Sequence, residues 1–188
     1  MSLFDAKTVT LGDGAEVLLR SPEEDEAPQL LEYLDAVRHE TQGIMYSPED
    51  SIPSVEEERQ WVKAGNDQDN GIRIAAAVDG KVVGLSEVIS PRFARQKHTA
   101  GVGISIRADW CDRGLGTLMM REMIGWSRTH PGLEMLTLCV FSSNPRAQAV
   151  YEKVGFVEDG RLPRRAKVDG EYIDLVEMSL WLDQVEVV

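Results

Sequence analysis

A chain of 188 residues that is 43% hydrophobic and 28% charged fits one soluble domain with a complete core, so residues 1–188 are read as a single unit. No apolar run approaches the ~20 residues of a membrane helix, and residues 1–7 lack the basic-then-apolar layout of a secretory signal, which leaves a cytoplasmic protein as the expectation. A net charge of −12 argues against a nucleic-acid partner, which needs clustered Lys and Arg; it would draw in a cationic acceptor, and equally would simply keep the protein soluble.

Residues 1–14 read as a peripheral N-terminal segment. Strand-like alternation begins at Glu16–Arg20, and Ser21-Pro22-Glu23-Glu24 then has the form of a capping box, with Ser21 as the cap and Pro22 in the first helical position. Ala27, Leu30, Leu31, Leu34 and Val37 form the apolar stripe of the helix that follows. A stretch containing Gly43, Pro48 and Pro53 leads to a second capping box at Ser54-Val55-Glu56-Glu57, whose helix ends near Gly65; this stretch is positioned to border a substrate site. Ile72–Val78 and Lys81–Ile89 are two strands joined by Asp79-Gly80, a pair suited to a two-residue antiparallel hairpin. The strand over 99–107 carries Gly101 and Gly103, which point to a bulge or to close approach by another chain or a ligand. A helix over 115–128, a strand over 133–141 with both faces buried, and a short helix from Asn144-Pro145 to Gly155 come next. Residues 156–158, an Arg-rich loop and Glu171–Trp181 complete the chain. Hairpins early and crossover helices late predict an α/β fold, with a mixed central sheet and helices on both faces.

Chemistry concentrates where the strand over 99–107 runs through Asp109, Trp110, Cys111, Asp112 and Arg113 into Gly114-Leu115-Gly116-Thr117 and a helix. Glycines remove side chains where a ligand must approach, and free N–H groups converge with the positive end of the helix dipole, so the segment suits a diphosphate. No Lys-Ser or Lys-Thr pair follows the glycines, against a nucleoside-triphosphate loop, and the third glycine of a dinucleotide fingerprint is missing. Cys111 and Cys139 have no C-x-x-C spacing and are expected to be buried free thiols; with His39, His98 and His130 in no ligand pattern, no metal is expected.

Cys111-Asp112-Arg113-Gly114-Leu115-Gly116 resembles the Q/R-x-x-G-x-G/A acetyl-CoA signature of the GNAT superfamily of N-acetyltransferases, with Cys111 where Gln or Arg is usual. A second segment, Asn144 through Ala147, Tyr151, Gly155 and Phe156, resembles that family's N-x-x-A-x-x-x-Y-x-x-x-G-F run. The two lie in the right order, and the resemblance spans roughly residues 17–182, in a branch that includes polyamine, ribosomal-protein and antibiotic acetyltransferases. It implies the acyl-CoA N-acyltransferase fold with about six to seven strands, acetyl-CoA as acetyl donor, an amine acceptor on a small molecule or a protein N-terminus, and a homodimer.

Acetyl transfer to an amine needs a lone pair on nitrogen, stabilisation of an oxyanion and a proton for the departing thiolate. The resemblance implies Tyr151 as the acid, a side chain that would also pack between helix and sheet. Backbone N–H groups of Ile104, Ser105 and Ile106 are the expected oxyanion donors. Glu87, on the strand face of Val83, Leu85 and Ile89, is the candidate base, unless an arginine pairs with it. Asp112, Arg113, Gly114, Leu115, Gly116 and Thr117 are expected around the diphosphate, with Arg146 also at the phosphates and Asn144 both capping its helix and meeting the pantetheine arm. An acyl-CoA-binding module without turnover stays open at this level, as does a dinucleotide-binding one.

Overall fold

The computed structural model describes residues 3–68, 71–89, 91 and 93–183; Met1 and Ser2 of the opening segment, and 184–188, lie outside the described residues. Among the described residues, eight strands form one sheet: β1 (Lys7–Thr10), β2 (Glu16–Arg20), β3 (Ile72–Val78), β4 (Lys81–Ile89), β5 (Thr99–Ile106), β6 (Met135–Phe141), β7 (Val157–Val168) and β8 (Glu171–Trp181). Their order is β1-β2-β3-β4-β5-β6-β8-β7, antiparallel throughout except for the parallel pair β5–β6. The helices are α1 (Ala27–Glu40), α2 (Val55–Asn66), α3 (Leu115–Thr129) and α4 (Pro145–Lys153).

Two consecutive residues of β4 show why both faces of the sheet are covered. A Cβ at Gly84 would stand 3.0 Å from Met119 Sδ of α3, whereas Leu85, which points the other way, packs with Leu30, Tyr33, Val37 and Val62 of α1 and α2. The larger core joins Leu115, Met119, Met120 and Met123 of α3 to Leu136, Val176, Met178 and Leu180 of the sheet. The Asp79-Gly80 turn has φ of 48° and 76°, the left-handed pair that the hairpin needs.

Several expectations are corrected. The sheet has eight strands, not six or seven, because β1 lies within the segment read as peripheral and pairs along β2. Ser21 is not a helix cap: its hydroxyl accepts from the Phe4 amide and donates to the Arg73 carbonyl, while Glu23 and Glu26 form the capping box of a 3₁₀ turn at Glu24–Glu26. On α1 the fully buried stripe is Ala27, Leu30, Tyr33 and Val37, with Leu31 and Leu34 only half-buried. The β4–β5 register is unbroken, so Gly101 and Gly103 mark no bulge there. The Arg-rich stretch is strand, not loop: Arg161 and Lys167 lie in β7, which absorbs its irregularity in two register shifts and a left-handed Arg164 at φ 57°. Cys139 is exposed, because β6 alternates Leu136, Leu138 and Val140 inward and turns Cys139 out, so the strand is not buried on both faces; Cys111 is half-buried in the turn before α3.

β5 and β6 pair only from Thr99–Met135 to Gly101–Thr137; beyond that point residues 102–106 and 138–141 no longer face each other across a ladder. β4 keeps its hold on β5 as far as Ile106, and β8 holds β6 as far as Phe141. The sheet therefore opens as a wedge between two intact halves. Leu136, fully buried just inside the apex, is paired with Ala100. Leu136→Ala is expected to lower the unfolding free energy by about 2–5 kcal/mol, read as a fall in the urea midpoint at constant m; a loss below about 1 kcal/mol would mean the apex is not a packed junction.

Candidate active site

The Arg107 amide donates to the Val83 carbonyl at 3.0 Å. Bonded positions alternate along an antiparallel ladder, so in the β4–β5 register the amides of Ser105, Gly103 and Gly101 also face β4. Those of Val102, Ile104 and Ile106 face β6, and for Ile104 and Ile106 β6 has already diverged. Leaving a buried amide without an acceptor costs about 1–3 kcal/mol, which makes the open edge of β5 a place where a ligand oxygen is stabilising.

At the end of β5 the chain reverses through two left-handed residues, Asp112 at φ 59° and Gly114 at φ 86°. Gly114 is the N-cap of α3 and supplies no side-chain cap, and the first helical bond runs from the Leu118 amide to the Gly114 carbonyl at 3.0 Å. The amides of Leu115, Gly116 and Thr117 are therefore the orphan donors of this helix. A Cβ at Gly116 would already touch Ile106 Cδ1 at 3.4 Å, so a longer side chain would fill the gap between β5 and α4.

A cavity of about 290 Å³ lies between these elements. Ile104, Ser105 and Ile106 line it from β5, Asp112, Gly114, Gly116 and Thr117 from the turn and α3, and Asn144, Arg146 and Tyr151 from the start and body of α4. Asn144 caps α4 by accepting from the Ala147 amide at 3.1 Å. Arg146 lies 3.5 Å from Asp112, both exposed, a pairing too loose to neutralise the guanidinium. Tyr151 is 9% exposed, and its ring packs on Phe156 with centroids 6.1 Å apart. Desolvation pushes its hydroxyl up to about 12, so the phenol keeps its proton at neutral pH.

Three sequence candidates are placed elsewhere. Leu115 is fully buried in the α3 core and offers only its backbone to the turn. Arg113 bonds Asp13 at 2.5 Å and stacks over Trp110 at 3.9 Å. Glu87 lies opposite Gly103, outside the cavity lining, and pairs with Arg73 at 3.2 Å; Arg73 in turn donates to the Trp61 carbonyl. The lining also includes residues that the motifs did not mark. Lys153 is two turns along α4 from Arg146, on the same helical stripe as Val150, so helical periodicity carried that signal. Thr41, Gly43 and Ile44 come from the α1–α2 connection, which passes so close to α4 that a side chain at Gly43 would collide with Asn144. Burial pushes the Cys111 thiol up, so it lines the cavity as a neutral group.

The turn is tied to α1. Glu40 accepts from Arg107 Nε at 2.8 and 3.0 Å, and from the Ala108 amide at 2.9 Å.

The chain matches the model of the Acetyltransferase (GNAT) family over residues 34–156. It is 31% identical over 122 residues to the L-amino acid N-acetyltransferase AaaT of Escherichia coli K12, covering 65% of this chain and 75% of that one. It is 26% identical over 152 residues to an L-methionine sulfoximine/L-methionine sulfone acetyltransferase of Pseudomonas paraeruginosa, covering 80% and 86%. Among solved structures, a GNAT-family acetyltransferase of Streptococcus pneumoniae superimposes with a TM-score of 0.84 at 28% identity, over 88% of this chain and 99% of that one. An acetyltransferase of Salmonella typhimurium solved with acetyl-CoA shares the fold with a TM-score of 0.77 at 20% identity, over 92% and 97%.

Gly114→Ala is expected to cost about 1–2 kcal/mol through the left-handed φ and to weaken coenzyme A binding at least about tenfold in calorimetry, since the cradle's amides move with the turn; unchanged affinity would place the diphosphate elsewhere. Hydrogen bonding from Arg107, with a smaller contribution from the Ala108 amide, holds the Glu40 carboxyl below its ordinary value. A carboxyl so lowered adds stability that is complete above the unfolded value near 4.5 and is lost as pH falls through the folded one. The gap in thermal midpoint between the native chain and Glu40→Gln is therefore expected to be widest near neutral pH and to narrow as pH falls below the unfolded value near 4.5; a gap independent of pH would assign it to packing.

Proposed function

We propose that this chain, which belongs to the GNAT acetyltransferase family and is an acetyl-CoA-dependent N-acetyltransferase, acetylates the primary amine of a small molecule by direct attack of the amine on the thioester. The observation that carries the reading is that the free amides of β5, the unpaired first turn of α3 and Tyr151 all border one cavity. The relatives named for amino acids and for methionine sulfone favour a small acceptor over a protein N-terminus.

The residues fit acetyl-CoA in both shape and charge. The Leu115, Gly116 and Thr117 amides, with Arg146 and Lys153 nearby, suit a diphosphate, and the gap kept by Gly116 admits an unbranched arm between β5 and α4. The coenzyme supplies a thioester carbonyl activated toward nucleophiles. In the proposed reaction the amine nitrogen bonds to that carbonyl carbon and the C–S bond breaks. Ile104 and Ile106 N–H groups donate to the oxygen as negative charge grows there. Tyr151 gives its proton to the leaving sulfur, and the amine proton leaves through water; Glu87 reaches it only through that water, because it stands outside the lining and its carboxylate is paired with Arg73.

Thiol release over a panel of amino acids, methionine sulfone, spermidine and a peptide α-amine tests the acceptor class: turnover with the peptide alone would overturn the small-molecule reading. Tyr151→Phe is expected to lower kcat by about 10²-fold with the coenzyme A Kd unchanged. Because the phenol is pushed up to about 12, the native enzyme should show no alkaline loss of kcat from Tyr151 below about pH 10. Glu87→Gln is expected to lower kcat/KM; an unchanged pH profile and rate would eliminate Glu87 as base.

A further inference from the structure

Tyr33 places a hydroxyl on the buried stripe of α1, between Leu30 and Val37. It is 3% exposed, and its hydroxyl lies 2.7 Å from the Ser105 carbonyl oxygen and 2.9 Å from Ser105 Oγ. A carbonyl has no proton to give, so Tyr33 donates to it, and Ser105 Oγ must then donate to Tyr33. The result is a directed chain from the Ser105 hydroxyl through the Tyr33 hydroxyl to the Ser105 carbonyl. Burial raises the phenol well above its ordinary value, against smaller opposing contributions from Ser105 and the Leu85 amide, so it remains a neutral donor.

The consequence lies in the peptide that Tyr33 grips. In a trans peptide the C=O of one residue and the N–H of the next are coplanar and point in opposite directions. The C=O of Ser105 is held on the α1 and β4 side, and the N–H at the other end of that same peptide is Ile106's, which faces the open wedge. A hydrogen bond to the oxygen draws electron density from the nitrogen and strengthens the N–H as a donor, an increment of about 10–30% per bond in condensed phase. It also fixes the plane of a peptide that has no β6 partner to fix it. Two turns further along α1, Glu40 holds Arg107 and the Ala108 amide, so the peptide is anchored just beyond its C-terminal side as well.

We propose that Tyr33 is a positioning residue for acetyl transfer: through the Ser105 carbonyl it orients and polarises the Ser105–Ile106 peptide, making the Ile106 N–H the stronger oxyanion donor. This rests on the reading of the β5 amides given above. It assigns α1 a part in the chemistry of the thioester, with no contact between Tyr33 and the substrate.

The test is the infrared carbonyl stretch of acetyl-CoA labelled with ¹³C at the acetyl carbonyl, bound to the full-length protein. In the native chain the band is expected below that of free acetyl-CoA; an undisplaced band would overturn the oxyanion reading itself. With the native band displaced, Tyr33→Phe is expected to lose at least half of the displacement. Its kcat, on the best amine of the panel, should fall about tenfold, short of the ~10²–10³ that loss of a whole donor costs. The Kd for acetyl-CoA should stay within about twofold, because the α3 amides that hold the diphosphate are untouched. A retained displacement and an unchanged kcat would overturn the role of Tyr33. Incorporation of 3,5-difluorotyrosine at position 33 supplies a test that survives a poorly folding Tyr33→Phe, since the ring shape is kept and the hydroxyl donates more strongly. It should move the band further below the native position; no movement, or movement back toward the free value, would overturn the proposal.

Discussion

The short parallel ladder between β5 and β6 governs the rest of the molecule. After Gly101 and Thr137 the two strands have no bonds to each other, yet each stays tied to its other neighbour, β5 to β4 and β6 to β8. Opening a sheet in this way exposes backbone donors that would otherwise be paired, and such groups are costly unless something satisfies them. The wedge is maintained because its walls are anchored independently. The β5 wall is held by Tyr33 and Glu40 of α1, and the β6 wall by a full antiparallel ladder with β8. α3 begins just past the open end of β5 and α4 just past that of β6, so both helix N-termini come to the mouth of the same gap.

Charge is distributed against the average of the chain. With a net charge of −12 the protein as a whole repels a polyanion. Around the cavity the balance differs: Arg146 and Lys153 line it and the first turn of α3 points its free amides inward, with Asp112 the acidic side chain among the lining residues. Short-range donors at a helix terminus act within hydrogen-bond distance, where the screened field of distant surface carboxylates is weak. The acidic exterior is therefore compatible with the diphosphate site proposed for this cavity.

What the sequence made legible follows from range. The hairpin at Asp79-Gly80, the Ser54 capping box and the glycine turn before α3 are encoded by residues close together in the chain, and each lies where local chemistry placed it. The wedge is different. It depends on which residues of β5 and β6 fail to pair, and Gly101 and Gly103 gave a local hint of irregularity without saying that the partner strand departs. Tyr33 escaped for a related reason. Leu31 and Leu34 look like the core stripe of α1 by composition, but Tyr33, three residues from Leu30 and four from Val37, is the one that reaches the sheet, and only the fold supplies the Ser105 carbonyl that makes its hydroxyl tolerable there. The basic residues of β7 read as loop because Gly160 and Pro163 interrupt the pattern; two register shifts let one strand carry them.

Cys111 shows how far the backbone alone supports binding. The resembling signature has Gln or Arg at this position, and a thiol supplies neither their reach nor a charge. The cradle is nonetheless built from peptide N–H groups whose directions are set by the left-handed Asp112 and Gly114 and by the start of α3, none of which depends on the side chain at 111. Its sulfur lies 3.5 Å from the Arg107 carbonyl, inside the turn, where a longer side chain would have to extend outward. The positive charge that an arginine would bring at 111 is available across the cavity from Arg146 and Lys153 of α4. Shifting that charge from the turn to the facing helix leaves the geometry of the donors intact, and for the proposed diphosphate site would make affinity depend on how closely α4 is held against β5.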